Sequence, residues 1–455
     1  MHTGAVQVMD EAHGEPLPAS YVDDALELLG DLVRVDTSNP GRTERPAAER
    51  CADELCRDGL EPALLEAAPG RTNLVCRLRG TAELPPLLLT AHLDVVPAGD
   101  GWSHPPFGAE IHEGFLWGRG ALDMKHHAAM SVTALRALAR EGRPLRRDVI
   151  LALTADEESG CDLGATWLVD HHADKVKAAY ALGEVGGFTL HLEGLRLYPI
   201  QIAQKGVLWL RARARGECGH GSMPREHAAV GKLSAAVARI ASRPLPFHTP
   251  AATRAFLTAV RDALGFPKGF ALGALLRPRL APRILRALPD RALARTFHAV
   301  LANTVAPTVL RAGDKINVIP GVAEAELDGR TLPGHDGERL LEELRAVAGP
   351  DVELEVMRRL PAVEASPDTP LFRTLAAAVR RGDPEGIAVP YLVPGFTDAL
   401  AFSRNGTTYY GFAPVGLPPG LKFAELYHNV DERIPVEGFR WGVRVLHDAV
   451  RTFCG

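Results

Sequence analysis

Two histidines and five carboxylates stand at the ends of apolar runs in this chain: His92, Asp94, Asp123, Glu157, Glu158, Glu184 and His428. Asp and Glu rarely follow buried strands unless something cationic meets them there. The pattern therefore asks for a fold that carries distant strand ends to one place. The simplest cation for two imidazoles and several carboxylates is a pair of zinc ions.

A chain of 455 residues exceeds one ordinary hydrophobic core, so two domains are expected. Hydrophobic residues make up 46% and charged residues 24%, the balance of a globular protein. A net charge of −5 gives no reason to expect nucleic acid as a partner. The cysteines, Cys51, Cys56, Cys76, Cys161, Cys218 and Cys454, form no CxxC pair, which fits free thiols in a reducing, cytoplasmic setting. The polar start over 1–19 reads as a loose tail without a secretory signal, and no apolar stretch is long enough for a membrane span.

Periodicity predicts helices over 20–35 and 43–58, broken by Asp36-Thr37-Ser38-Asn39-Pro40-Gly41. Leu87–Ala91 and Val149–Thr154 are apolar runs of the kind buried on both faces of a sheet. Helices expected over 126–140 and 162–171 make this an α/β domain with a mostly parallel sheet and helices on both faces. In such sheets functional groups gather beyond the carboxyl ends of the strands. His92 and Glu157 occupy those places. From Gln204-Lys205-Gly206 the character changes to an alternating strand, a helix over 225–241, an Arg-, Leu- and Ala-rich helical stretch over 250–310, strands at 322–330 and 351–358, and a helix at 336–347. The division is 1–202 for the first part of the α/β domain, 203–360 for an inserted α+β domain with a helical insertion at 245–310, and 361–455 for the return.

Each motif taken singly has an ordinary structural reading. His92-Leu93-Asp94 places two side chains on one side of an extended segment, a pattern common without a metal. Asp123 could simply cap the following helix. Asp156-Glu157-Glu158 could be a solvated acidic turn at a helix start. If buried, its carboxylates repel, and a metal offsets that cost by ligating one and leaving another free as a base.

Together and in order, the motifs His92-x-Asp94-x-Val96-Pro97, Gly118-Arg119-Gly120-x-x-Asp123-x-Lys125, Asp156-Glu157-Glu158-x-Gly160, Glu184 and Tyr427-His428 resemble one family. It is the co-catalytic dizinc family of aminoacylase, glutamate carboxypeptidase, carboxypeptidase S and succinyl-diaminopimelate desuccinylase, and the resemblance spans the chain from about residue 25. It implies a catalytic α/β domain interrupted by a lid domain, and two Zn2+, with Co2+ or Mn2+ as possible substitutes. His92 and Glu184 would ligate one ion, Glu158 and His428 the other, and Asp123 both, with a cis peptide bond after it. Asp94 would orient His92, and Glu157 would be the free general base. From the lid, His220 in Gly219-His220-Gly221-Ser222 would help hold the oxyanion. Asn317 and Arg330 would clamp a substrate carboxylate, and Gly395 and Thr397 would line the pocket. The lid also implies a homodimer.

Two positions depart from the family pattern. His126-His127 stand after Lys125 where glycine is usual, either facing solvent or reaching the site, and Phe396 replaces a glycine in the substrate turn. Residues 250–300 carry nine Arg or Lys against two acidic residues. They either pack apolar faces on the lid or form a basic apolar surface for an acyl chain, a membrane or a partner. The expected function is hydrolysis of an amide or peptide bond beside a free carboxylate, in a small molecule or short peptide, by a carboxypeptidase or N-acyl amino acid deacylase. A dipeptidase, or an inactive binding protein on the same fold, are the alternatives.

Overall fold

The computed structural model describes residues 16–288 and 290–455, so most of the polar start expected over 1–19 lies outside the described residues. A ten-stranded sheet organises the chain. Its centre is parallel: Val149–Thr154, Leu87–His92, Tyr180–Gly183 and Thr408–Gly411 lie side by side in that order. Arg71–Leu78 and Ala63–Ala68 extend one side antiparallel, and Leu195–Gln204 joins the other. The two apolar runs recognised in the sequence are buried at every residue, as strands covered on both faces must be.

Alternate side chains feed two cores. Leu87, Leu89 and Leu151 enter one with the helices Ala19–Arg34, Lys125–Glu141 and Val436–Cys454. Leu88, Ile150 and Ala152 enter the other with Leu168, Val176 and Phe402. The helix Lys125–Glu141 is buried on nearly all sides, because the helices 19–34 and 436–454 flank it against the sheet. His126 and His127 are thereby enclosed, at 1% and 0% exposure, which corrects the solvent-facing reading. Burial pushes them down to about 4 and about 3, so both rings stay neutral.

A separate four-stranded antiparallel sheet runs in the order Thr304–Ala312, Val322–Thr331, Gly206–Arg215, Glu353–Leu360. Leu208, Leu210 and Ala212 point to its core against Leu233, Ile240 and Leu344 from the helices Ala229–Ser242 and Gly337–Ala348. Asp336 caps the latter helix by accepting from Arg339 N. The chain enters through Lys205 and returns beside it, since Val207 pairs with Leu360 and Val363 with Gln204. A side chain on Gly206 would strike Thr331 Oγ1 and come within 2.6 Å of Leu360 O, so only glycine fits this crossing.

The helical stretch departs from expectation in two ways. It ends with Arg291–Leu301, and Thr304–Ala312 is an edge strand, the local alternation having been masked by the Ala and Leu around it. Its apolar face also packs on the large sheet instead of the small one. Phe256 and Leu257 of Ala251–Leu264 join the main core beside the strand Gly386–Val393, with Phe256 against Tyr391. Lys205 Nζ holds the end of this excursion by donating to Ala299 O, Ala302 O and Thr304 Oγ1.

Candidate active site

Beyond the carboxyl ends of the parallel strands, the chain assembles the residues singled out by pattern. His92 ends its strand, Glu157 and Glu158 follow Val149–Thr154 in a 3-10 turn, and Glu184 follows Tyr180–Gly183. His92 Nε2 lies 3.3 Å from Asp123 Oδ1 and 3.6 Å from Glu184 Oε2. His428 Nε2 lies 3.2 Å from Asp123 Oδ2 and 3.0 Å from Glu158 Oε2. Asp123 thus faces one imidazole with each oxygen. His92, Glu157 and Glu184 offer ligand atoms within 4.8 Å of one another, as do His92, Asp123 and Glu158.

His92, Asp123, Glu184 and the Glu157–Glu158 turn are held from behind. His92 Nδ1 lies 2.9 Å from Asp94 O, which leaves Nε2 toward the cluster. The Asp94 carboxylate, 3.6 Å from that Nδ1, mainly organises the acidic turn: it accepts from Glu157 N at 3.1 Å and Glu158 N at 3.2 Å. Asn39 Nδ2 donates to both Asp94 and Asp156, and Arg71 donates to Asn39 Oδ1 and Asp156. Glu432, fully buried, accepts from Leu122 N and Asp123 N with one oxygen and from Arg119 Nη1 with the other, fixing the approach of Asp123. The Asp123–Met124 bond is cis, and Met124, not Asp123, is the residue before the helix, so the capping reading fails. Glu184 N donates to Tyr409 Oη, a contact that needs glycine at 183, where a Cβ would collide with that phenol.

Charge is concentrated here. Burial and the Glu184 carboxylate push Glu157 well above the ordinary carboxylate range. Burial raises Glu184 to about 7 against the pull of His92. Hydrogen bonds to Asp123 and Glu158 hold His428 up at about 10. Meanwhile His92 Nε2 and Glu184 Oε1 are buried without a hydrogen-bond partner. A donor set of two imidazoles and several carboxylates, with buried orphan atoms at its centre, fits divalent ions of the zinc type.

The family follows from this set and its order. Residues 88–452 match the model of Peptidase family M20/M25/M40. The chain belongs to that family. It is 30% identical over 382 residues to the N-fatty-acyl-amino acid synthase/hydrolase PM20D1 of Mus musculus, covering 81% of this chain and 74% of that protein. It is 27% identical over 389 residues to a probable carboxypeptidase S-like 2 of Dictyostelium discoideum, covering 81% and 72%. Among solved structures, the M20 family metallo-carboxypeptidase Sso-CP2 of Sulfolobus solfataricus shares the fold, with a TM-score of 0.68 at 18% identity over 95% of this chain and 98% of that one. The chain is therefore a hydrolase of the metallopeptidase class, and the family implies a divalent metal.

The residues expected to bind substrate are arranged differently. His220 is exposed, bonded to Ser222 Oγ at 2.8 Å, on a two-stranded ribbon with Val318–Ile319. Asn317 shares that ribbon tip, its carbonyl accepting from Gly221 N. Arg330 is engaged by Asp328 through two hydrogen bonds of 2.8 and 3.1 Å. Thr397 is fully buried and donates to Gln204 Oε1, while Gly395 and Phe396 are half-buried. Asn39, Arg71, Glu432 and Tyr409 carry structural roles at the site that patterning did not assign. The only signal for them was the Asn39-Pro40 break and the acidic run ending in Glu432. Among the described residues no helix is long and apolar enough to cross a membrane.

Proposed function

We propose that this protein is a two-metal amidohydrolase that cleaves N-acyl amino acids beside their free carboxylate. The observation that carries it is the cluster itself: Asp123 between two imidazoles, with Glu157 buried among the ligand atoms. His92 and Glu184 would hold one ion, Glu158 and His428 the other, and Asp123 both. Zinc suits the set, with Co2+ or Mn2+ able to replace it. When bound, such a pair supplies Lewis acidity to the scissile carbonyl and the attacking water.

The chain's own groups do the rest. Glu157 takes the proton of the attacking water and returns it to the departing amine nitrogen. Its raised affinity for a proton, set by burial, suits both acts. Asp94 holds the Glu157–Glu158 turn, and its backbone carbonyl holds the His92 tautomer, so these groups need not rearrange during the reaction. The four-stranded unit, roughly 203–360, acts as a lid bringing His220 and Asn317 over the site. Arg330 exchanges Asp328 for the substrate carboxylate, a bidentate partner of the same shape. Closure of the lid excludes water.

The similarity to an N-fatty-acyl-amino acid hydrolase favours acyl over dipeptide substrates. The half-buried Phe396, an apolar group where the family has glycine, points the same way. The unpaired cysteines support a reducing, cytoplasmic compartment, and the lid offers the surface for a homodimer, testable by light scattering. The deciding experiment is a panel of N-acyl amino acids, their carboxamides and dipeptides, assayed on metal-reconstituted enzyme. N-acyl amino acids should turn over fastest and carboxamides at least about 10-fold slower, the worth of a charge-assisted bond. Equal rates on carboxamides refute recognition of the carboxylate.

A further inference from the structure

Outside this cluster, three side chains of the 98–117 segment converge in a similar way. His104, Glu110 and His112 bring one ligand atom each within 4.8 Å of one another. His104 Nδ1 lies 3.4 Å and His112 Nε2 3.0 Å from the same oxygen, Glu110 Oε2. The two imidazoles stack with centroids 4.2 Å apart, and Trp117 backs His104 with ring centroids at 4.5 Å.

These separations have a meaning. Donors around a tetrahedral ion with bonds of about 2.0–2.1 Å stand about 3.3 Å from one another. In the buried cluster, imidazole-to-carboxylate distances run from 3.0 Å at His428–Glu158 to 3.6 Å at His92–Glu184. The two imidazole-to-carboxylate distances of the outer trio, 3.4 and 3.0 Å, fall inside that range. Two imidazoles and one carboxylate form a donor set that suits zinc, and after it cobalt or nickel. The side chains are a quarter to a half exposed, so an ion can enter from solvent and keep water as a further ligand.

The trio is also wired to the active site. Glu110–His112 pairs with Phe115–Trp117, which pairs with Arg433–Pro435, just beyond His428. Ser103, beside His104, donates its N–H and its hydroxyl to the two oxygens of Asp431 at 2.7 and 2.8 Å. His428 and Asp431 both adopt φ of +59°, a left-handed backbone that is uncommon outside glycine but that His and Asp enter more readily than most residues.

We propose that His104, Glu110 and His112 form a third, peripheral divalent-metal site, and that an ion there braces the segment carrying His428. The binding half stands on this trio alone. The bracing half rests on His428 serving the two-metal centre.

The test is equilibrium dialysis of chelator-stripped, full-length protein against zinc alone, with circular dichroism to confirm folding. Wild type should bind one zinc equivalent more than His104→Ala/His112→Ala. The near-isosteric Glu110→Gln should weaken that equivalent at least 10-fold. Asp123→Ala should lose the tighter zinc and keep the outer equivalent. Both outer variants should need several-fold more zinc for half-maximal turnover, with kcat at saturating metal unchanged. Identical zinc binding by wild type and the outer variants overturns the site and leaves a His–Glu ion pair. Loss of all binding in Asp123→Ala overturns it too. If the outer equivalent is lost without any change in the zinc needed for turnover, the bracing half fails. If Asp123→Ala keeps every equivalent, the two-metal reading fails while the outer site stands.

Discussion

The catalytic cluster and the lid ribbon are built on opposite principles. At the cluster, most groups facing the site are held by buried partners on other segments: Asp94 and Asn39 behind the acidic turn, Glu432 and Arg119 behind Asp123, Tyr409 behind Glu184. In the other region, His220 on the ribbon bonds to its neighbour Ser222, and Arg330 on the strand Val322–Thr331 to its neighbour Asp328. The first region is assembled before substrate arrives. The second has its polar groups satisfied locally, and in the proposed reaction the substrate would re-partner them. A preorganised site spends no free energy on rearrangement during the reaction, whereas a locally satisfied lid can open to release product.

The largest effect that could break this contrast is at Glu157, the proposed base. Glu157→Gln should retain metal and lower kcat by about 10²–10⁴-fold, measured by steady-state kinetics on zinc-loaded protein. Near wild-type turnover would mean that another group moves the proton. Next come the supports. Asn39→Ala and Glu432→Gln should each weaken metal binding by about 10–100-fold in competition with a chelator, because they loosen the groups that aim the ligands. Arg330→Ala should leave metal affinity untouched and lower kcat/KM by about 10-fold or more on carboxylate substrates, with no loss on carboxamides. Should it reduce metal content instead, the separation of the two regions is wrong.

The smallest effect concerns His126 and His127, whose folded values near 4 and 3 lie below the ordinary 6.5. In that window the unfolded chain binds more protons than the folded one, so stability is full above about 6.5 and falls as pH drops toward 4. His126→Gln/His127→Leu should flatten the fall, read as the difference between urea midpoints at pH 6.5 and 4.5. A fall as steep as wild type would assign the acid sensitivity to the carboxylates alone.

The division between legible and illegible follows the range of the interactions. His92, Glu157 and Glu184 end apolar strands, and strand ends are visible as runs of residues. Asn39 reaches Asp94 and Asp156 across long stretches of chain, and no local pattern announces such a bond. His126 and His127 read as a polar helix start because sequence cannot show that helices 19–34 and 436–454 close over the face they would otherwise expose. The strand Thr304–Ala312 is hard to see in the sequence because Ala- and Leu-rich helical residues precede it, and its pairing with Val322–Thr331 is long-range. The excursion's partner was misassigned for a related reason: an apolar helix face states that it must be covered, not by which sheet.

The proposed reaction needs two ions sharing Asp123 beside an unligated glutamate. Anomalous diffraction at the zinc edge, from crystals of the zinc-loaded enzyme, reads this directly. Two peaks flanking Asp123 are expected, one against His92 and Glu184 and one against Glu158 and His428, with Glu157 bound to neither. A single peak in this cavity, or Glu157 ligating while Glu158 turns away, would contradict that arrangement.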